Sequence, residues 1–187
     1  RELLINANLD ATTALIIKRA NRAFPIIEPI LAKYGVPDDF KYLAVIESGL
    51  INATSPSGAK GVWQFMPATA KEMGMEVNDN VDERYDLEKS TETACKYLLK
   101  AKEKSGNWTL AAASYNGGLN GIMRMLEEQQ VNDYYDMLLT DETYRYVFRI
   151  LALKEIMQNQ EKYGYQMPQS VMYPLLPTKK VEVTSNI

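Results

Sequence analysis

The sequence contains no histidine and a single cysteine, Cys95, among its 187 residues. A Ser–His–Asp triad, a Cys–His pair and zinc sites built on histidine or on several cysteines are therefore excluded. A single cysteine also excludes a disulfide within the chain. Any catalysis by this protein must rely on carboxylates, hydroxyls, lysine or tyrosine.

Long apolar runs and an excess of basic residues are also missing. No stretch approaches the roughly 20 apolar residues that a membrane span requires. The net charge of −3 argues against a nucleic-acid-binding protein, which usually carries a basic face. The chain begins at Arg1, and no signal peptide follows it. We therefore expect that it has been processed, and that any export signal or lipid anchor lay in the missing segment.

The apolar residues recur at spacings of three and four, which is typical of helices. No segment shows the sustained alternation of a large sheet, so we predict an all-α fold. The predicted helices cover residues 10–22, 26–34, 38–48, 67–73, 90–104, 109–115, 119–128 and 142–162. Beyond Gly164, three prolines interrupt helix formation, and residues 181–184 (VEVT) favour a short extended piece.

Glu47 lies on the apolar side of the predicted helix 38–48. Pro37 suits the start of this helix and Gly49 its end. Glu47 follows Leu43 by one turn, so it projects from the apolar stripe and not from the polar face that we assign to Lys41. Apolar surroundings and the negative end of the helix dipole both raise a carboxyl pKa. A general acid at neutral pH needs such a pKa.

Two other interpretations remain open at this point. Glu47 is also compatible with the edge of the stripe, where it would bond a backbone group or an arginine. Glu28, inside an apolar stretch, competes with it for the catalytic assignment on the same argument. Periodicity does not separate these two acids.

Four motifs follow one another along the chain: ES at 47–48, SPSGAKGVWQ at 55–64, SYNGG at 114–118 and ETYRYV at 142–147. Together they resemble the lytic transglycosylases with a goose-type-lysozyme-like (SLT) catalytic domain. Trp63 and the KYG at 162–164 before Pro168 are similar to the membrane-bound lytic transglycosylase D subgroup. Ser114 departs from the family's usual alanine, a small-for-small change. Each motif alone is weak, but four in the family's order and spacing make the resemblance specific.

The resemblance implies a lysozyme-like helical domain with Glu47 as its single catalytic acid and base. It implies that eight further residues line the saccharide cleft: Ser55, Gln64, Met66, Tyr97, Tyr115, Asn116, Glu142 and Tyr146. Tyr97 and Tyr115 would contact sugar rings, and Tyr146 would lie close enough to bond the Glu47 carboxyl. Purely structural roles compete for several of them: Tyr97 and Met66 suit a core, and Glu142 suits the first turn of a helix capped by Thr140 or Asp141.

The resemblance also implies the reaction and its setting. The substrate would be peptidoglycan, cut between N-acetylmuramic acid and N-acetylglucosamine with a 1,6-anhydromuramyl end, and no cofactor or metal would be needed. We expect a monomer in the periplasm or cell envelope, with membrane anchoring through a segment outside this sequence. The expected organisation is a helical extension (1–24), the catalytic domain (25–164) and an irregular tail (165–187) that wraps the domain or leads to a further segment.

A second catalytic acid would change the reaction. The acid-rich segment 78–86 suggests a calcium loop, but Glu83 and Lys89 stand where glycine and glutamate are required. We interpret it as a solvated connection that caps the next helix at Asp86. If one of its acids reaches the cleft, a water-using muramidase is the alternative. A catalytically silent peptidoglycan-binding domain and a generic helical interaction module are the other candidates.

Overall fold

The computed structural model describes residues 1–7, 11–178 and 181. Within them the chain forms eight α-helices and no β-strand, with only isolated bridges in the loops. The helices are α1 (Glu2–Ala7), α2 (Ala11–Tyr34), α3 (Lys41–Ser48), α4 (Pro67–Glu72), α5 (Leu87–Ser105), α6 (Trp108–Gly117), α7 (Leu119–Gln129) and α8 (Asp141–Gln158). The prediction of an all-α fold is confirmed.

The N-terminal region departs from the predicted pattern. The sequence predicts two helices, 10–22 and 26–34, but α2 is one continuous helix that includes Pro25 and Pro29. Both prolines lie on its exposed side. On the opposite side Ala23, Ile27 and Leu31 are buried at four-residue spacing, and this packing outweighs the lost backbone hydrogen bonds. Helix α2 crosses position 24 without a break. The predicted boundary between an N-terminal extension (1–24) and the catalytic domain (25–164) stays a prediction.

The helix that carries Glu47 begins later than predicted. Residues Asp38–Phe40 form a 3₁₀ turn, and α3 starts at Lys41. Lys41, assigned to the polar face of this helix, lies among polar partners but is only 8% exposed. Its ammonium group bonds Glu28 at 2.7 Å and Asp38 at 2.5 Å. Glu28 is therefore committed to a structural ion pair.

Helix α8 packs against α1, α3 and α6. It ends at Gln158, four residues before the predicted end, and a 3₁₀ turn follows at Gln160–Tyr163. Trp63 is fully buried in the same core, and its indole N–H donates to Thr91 Oγ1 at 2.8 Å. The helices that carry the sequence motifs therefore meet around one core.

The described part of the tail folds back onto α2. The Tyr173 amide donates to the Lys18 carbonyl at 3.2 Å, and the Asn21 side chain donates to the Tyr173 carbonyl at 3.0 Å. The described part of the tail therefore packs against α2, and the wider division of the chain into extension, domain and tail stays a prediction. The predicted extended piece at 181–184 lies, except for Val181, outside the described residues. None of the helices described is long and apolar enough to span a membrane.

Candidate active site

Glu47 lies in the last turn of α3, where α3 packs against α8. The buried Tyr146 hydroxyl, on α8, donates a hydrogen bond to Glu47 Oε1. Burial raises the pKa of Glu47 from its ordinary 4.5 to about 7. The carboxyl therefore exchanges its proton near neutral pH, as a group that must act as both acid and base requires.

Three neighbours modify this effect of burial. The Tyr146 hydrogen bond and the positive charge of Arg149 lower the pKa of Glu47, whereas the negative charge of Glu142 raises it. Burial and the nearby Glu47 raise the pKa of Tyr146 well above its ordinary value. Tyr146 therefore keeps its proton and remains the donor in both charge states of Glu47.

The segment 55–64 forms a tight loop between α3 and α4. Its Val62 carbonyl accepts from Ser48 Oγ at 2.8 Å, which ties the loop to the residue after Glu47. Gln64 has a left-handed backbone with φ of 50°. The side-chain amide nitrogen of Gln64 donates to the carbonyls of Ala53 at 3.1 Å and Gly61 at 2.7 Å. Gln64 thus closes the loop on itself.

Arg84 supports this loop, a role that was not predicted from the sequence. The guanidinium is buried and donates to the carbonyls of Gly58 and Phe65, both at 3.0 Å. It also pairs with Asp82 at 2.7 Å, which lowers the pKa of Asp82 to about 2. The prediction of a solvated connection is therefore wrong for these two residues. The predicted helix cap at Asp86 is confirmed, since its side chain accepts from the Lys89 amide.

Tyr97 and Tyr115 pack edge to face, with ring centroids 5.3 Å apart. Their hydroxyls donate to the backbone carbonyls of Ser114 and Trp63, each at 2.8 Å. Because both hydroxyls are held by the protein, the rings are fixed in place. Both tyrosines line a cavity of about 210 Å³ together with Gln64, Phe65, Met66, Thr69, Asn116 and Gly118.

Asn116 connects α6 to the start of α8. Its amide nitrogen donates to Glu142 Oε1 at 3.0 Å, and its amide oxygen accepts from Thr143 Oγ1 at 2.8 Å. Thr140 caps α8 by accepting from the Thr143 amide, which was one of the two predicted caps. Glu142 is exposed, so its carboxylate remains accessible beside the Asn116 amide.

Eight of the nine predicted site residues therefore lie in three places. Glu47 and Tyr146 form a hydrogen-bonded pair, and Glu142 accepts a hydrogen bond from Asn116. Five residues line the cavity: Gln64, Met66, Tyr97, Tyr115 and Asn116. Ser55 is not among the cavity residues. Its hydroxyl accepts from the Ala59 amide at 3.0 Å, within its own turn.

A family model described as the transglycosylase SLT domain matches residues 24–138, more than half of the chain. The chain is 31% identical over 142 residues to the membrane-bound lytic murein transglycosylase D of Escherichia coli (strain K12), covering 73% of this chain. The protein of the same name from Escherichia coli O6:H1 matches with the same identity and coverage. The chain covers 31% of the length of each of these curated relatives.

Proposed function

Because this chain belongs to the transglycosylase SLT domain family, we propose that it is a peptidoglycan lytic transglycosylase. It cleaves the β-1,4 bond between N-acetylmuramic acid and N-acetylglucosamine and leaves a 1,6-anhydromuramyl end. The observation that carries the proposal is the state of Glu47: a carboxyl whose pKa burial raises to about 7, bonded to Tyr146. The substrate class places the protein in the cell envelope.

Glu47 supplies the proton movements of the reaction. In its neutral form it donates its proton to the glycosidic oxygen as the bond to C1 of the muramyl sugar breaks. The Glu47 carboxylate then takes the proton from the C6 hydroxyl of the same sugar, and that oxygen bonds to C1. The carboxyl is thus restored at the end of the cycle. Because the nucleophile is tethered to the electrophilic carbon, the reaction gains the effective concentration of an intramolecular step.

The surrounding residues bind and orient the substrate. The fixed faces of Tyr97 and Tyr115 offer flat apolar contacts to sugar rings, while Gln64 and Asn116 offer polar groups in the same cavity. Tyr146 orients the Glu47 carboxyl and stabilises its charged form. Met66, 41% exposed, contributes a flexible apolar contact. Ser55 acts indirectly, by shaping the loop that holds Gln64.

The decisive experiment is digestion of purified peptidoglycan by the wild type and Glu47→Gln, followed by mass spectrometry of the new glycan ends. We expect anhydromuramyl ends from the wild type, and a loss of at least about 1,000-fold in rate for Glu47→Gln, because the amide cannot exchange a proton. Circular dichroism checks that this variant is folded. Glu142→Gln is the companion variant, since Glu142 is the exposed carboxylate whose charge reaches Glu47.

The outcomes separate the alternatives. Suppose that the wild type produces glycan ends heavier by one water and that neither variant produces them. The protein would then be a muramidase in which Glu142 activates water. Binding without cleavage by the wild type would identify a silent binding domain. Retained activity in Glu47→Gln would overturn the assignment of the acid.

A further inference from the structure

The chain turns sharply directly after Glu47. Helix α3 ends at Ser48, Gly49 has a left-handed backbone with φ of 61°, and Leu50 also has a φ of 61°. A left-handed backbone is unfavourable for a residue with a side chain, so Leu50 must be held in it by its surroundings. We call residues 49–50 the Gly49 turn. Its position determines where the end of α3, and with it Glu47, lies.

Arg19 of α2 holds the Gly49 turn. Its Nη1 donates to the Gly49 carbonyl oxygen at 3.0 Å, and the side chain is half-buried. Carbonyls at the end of a helix lack partners within the helix, and a cation there is favoured by the helix dipole. On the other side of the turn, Ser48 donates to the Val62 carbonyl. Two side-chain hydrogen bonds thus fix the backbone next to Glu47.

The turn of α2 that carries Arg19 is itself held by the tail. The Tyr173 amide donates to the Lys18 carbonyl at 3.2 Å. Asn21 donates to the Tyr173 carbonyl and Arg22 Nε donates to the Pro174 carbonyl, both at 3.0 Å. All of these residues lie outside the part of the chain that the family model matches. The extension and the tail therefore reach the proposed acid through Arg19.

We propose that Arg19 is a positioning residue for Glu47: through the Gly49 carbonyl it fixes the direction in which the Glu47 carboxyl leaves the end of α3. This rests on the proposed function, because it concerns the same acid. Arg19 does not line the cavity that holds Tyr97 and Tyr115, and its hydrogen bond is made to the backbone two residues after Glu47, so we expect it to affect the acid more than sugar binding. A displaced acid costs reaction rate while substrate binding persists.

The test compares Arg19→Met and Arg19→Lys with the wild type, and Lys18→Met is the matched control because it removes a neighbouring cation. Steady-state kinetics on soluble peptidoglycan fragments give kcat, KM and the pH profile. We expect Arg19→Met to lower kcat about tenfold with KM changed less than about twofold. Arg19→Lys, which keeps a cationic donor without the planar fork, should stay within about threefold of the wild-type kcat. Lys18→Met should match the wild type.

The pH profile separates positioning from simple stabilisation. The charged and titratable groups around Glu47 are Tyr115 of α6 and Glu142, Tyr146 and Arg149 of α8. If Arg19→Met moves Glu47 relative to them, the limb of the profile that reports Glu47 shifts. A variant that melts earlier but keeps the wild-type kcat and limb while folded would overturn the proposal.

If Arg19→Met does not fold, Arg19→Gln takes its place, because glutamine keeps a polar side chain but loses the positive charge and the length that reach the Gly49 carbonyl. We then expect a kcat about tenfold below the wild type with a displaced limb, and a wild-type kcat and limb in Arg19→Gln would overturn the proposal. Failure of the proposed function is recognised separately, because it appears as absent anhydromuramyl ends in the wild type. A wild-type product whose formation is insensitive to Arg19 refutes the positioning role alone.

Discussion

At the scale of single residues, Tyr146 opposes the effect of burial on the pKa of Glu47. It donates the one side-chain hydrogen bond that Glu47 receives from the described residues. That bond favours the carboxylate, whereas burial favours the neutral acid. The two effects act in opposite directions, and burial dominates. Tyr146 thus keeps the acid from being too weak to give up its proton at neutral pH.

Replacing Tyr146 by phenylalanine should raise the pKa of Glu47 further, because the group that lowers it is removed. A general acid works only while protonated, so the alkaline limb of kcat/KM should move to higher pH. We expect kcat to fall about tenfold or more, since the carboxylate formed in the reaction loses its donor. The measurement is kcat/KM against pH.

Tyr144→Phe serves as the control, because Tyr144 is exposed on the same helix and makes ring contact only with Phe148 among the described aromatic side chains. Its profile should overlay the wild type. A limb that stays in place or moves to lower pH in Tyr146→Phe would contradict this account of the site.

At the scale of elements, the loop 55–64 is built on Arg84. The guanidinium reaches two carbonyls of the loop region, and the Arg84 backbone passes directly beneath Gly61. A Cβ at position 61 would lie 1.9 Å from the Arg84 carbonyl oxygen. The absence of a side chain at Gly61 is therefore what allows the loop to close.

Gly61→Ala and Gly58→Ala form a matched pair. Both glycines have positive φ, 82° and 88°, but a Cβ at Gly58 meets nothing within 4 Å. We expect Gly58→Ala to cost about 1 kcal/mol for the left-handed backbone. Gly61→Ala should cost about 3 kcal/mol or more, because the backbone must also move. Urea denaturation measures both. Equal losses of stability would mean that the contact with Arg84 is readily relieved.

Helices α5 and α6 follow from the sequence because local signals set them: α5 has amphipathic spacing, and the side chains of Asp86 and Asn107 cap α5 and α6. The N-terminal region does not, because burial along α2 overrides the local effect of Pro25 and Pro29. Helix α1 has only six residues, too short for periodicity to identify. Its Glu2 is buried against Arg145 at 2.8 Å, a contact between residues far apart in the sequence.

The site shows the same limit. Glu47 stands out from its position on an apolar face, and the motifs place the residues around it. The roles of Arg84 and Arg19 are not predictable from the sequence, because each donates to backbone carbonyls distant in sequence. Every residue has a carbonyl, so the sequence does not show which one accepts. Arg84 carries one weak signal, as a lone arginine within an acid-rich segment.

At the scale of the whole molecule, the raised pKa of Glu47 makes the folded protein less stable at neutral pH. The carboxyl ionises at about 4.5 when unfolded and at about 7 when folded. Between these values the folded state binds more protons, so the free energy of unfolding falls as pH rises. Above about pH 7 the free energy of unfolding stays lower by a constant amount, because the carboxyl is ionised in both states. This amount is at most about 3 kcal/mol.

Glu47→Gln should therefore be more stable than the wild type at about pH 8, by up to about 3 kcal/mol, because the amide does not ionise. At about pH 4 the wild-type carboxyl is mostly neutral in both states, so the two proteins should be nearly equal there. Urea denaturation at a series of pH values measures the difference. A gap that widens toward low pH would have the wrong sign for this explanation.

The missing histidine has a practical consequence for observing the acid. Histidine normally dominates proton uptake and release around pH 6.5, and this chain has none. Burial moves the one thiol, Cys95, out of that range by raising its pKa to about 12. A carboxyl carbon resonance that titrates near neutrality, recorded on protein enriched with ¹³C at glutamate and absent from Glu47→Gln, would report the protonation of Glu47 directly, with no overlapping histidine titration to change its surroundings. The protonation state of the enzyme in solution is readable from a single signal.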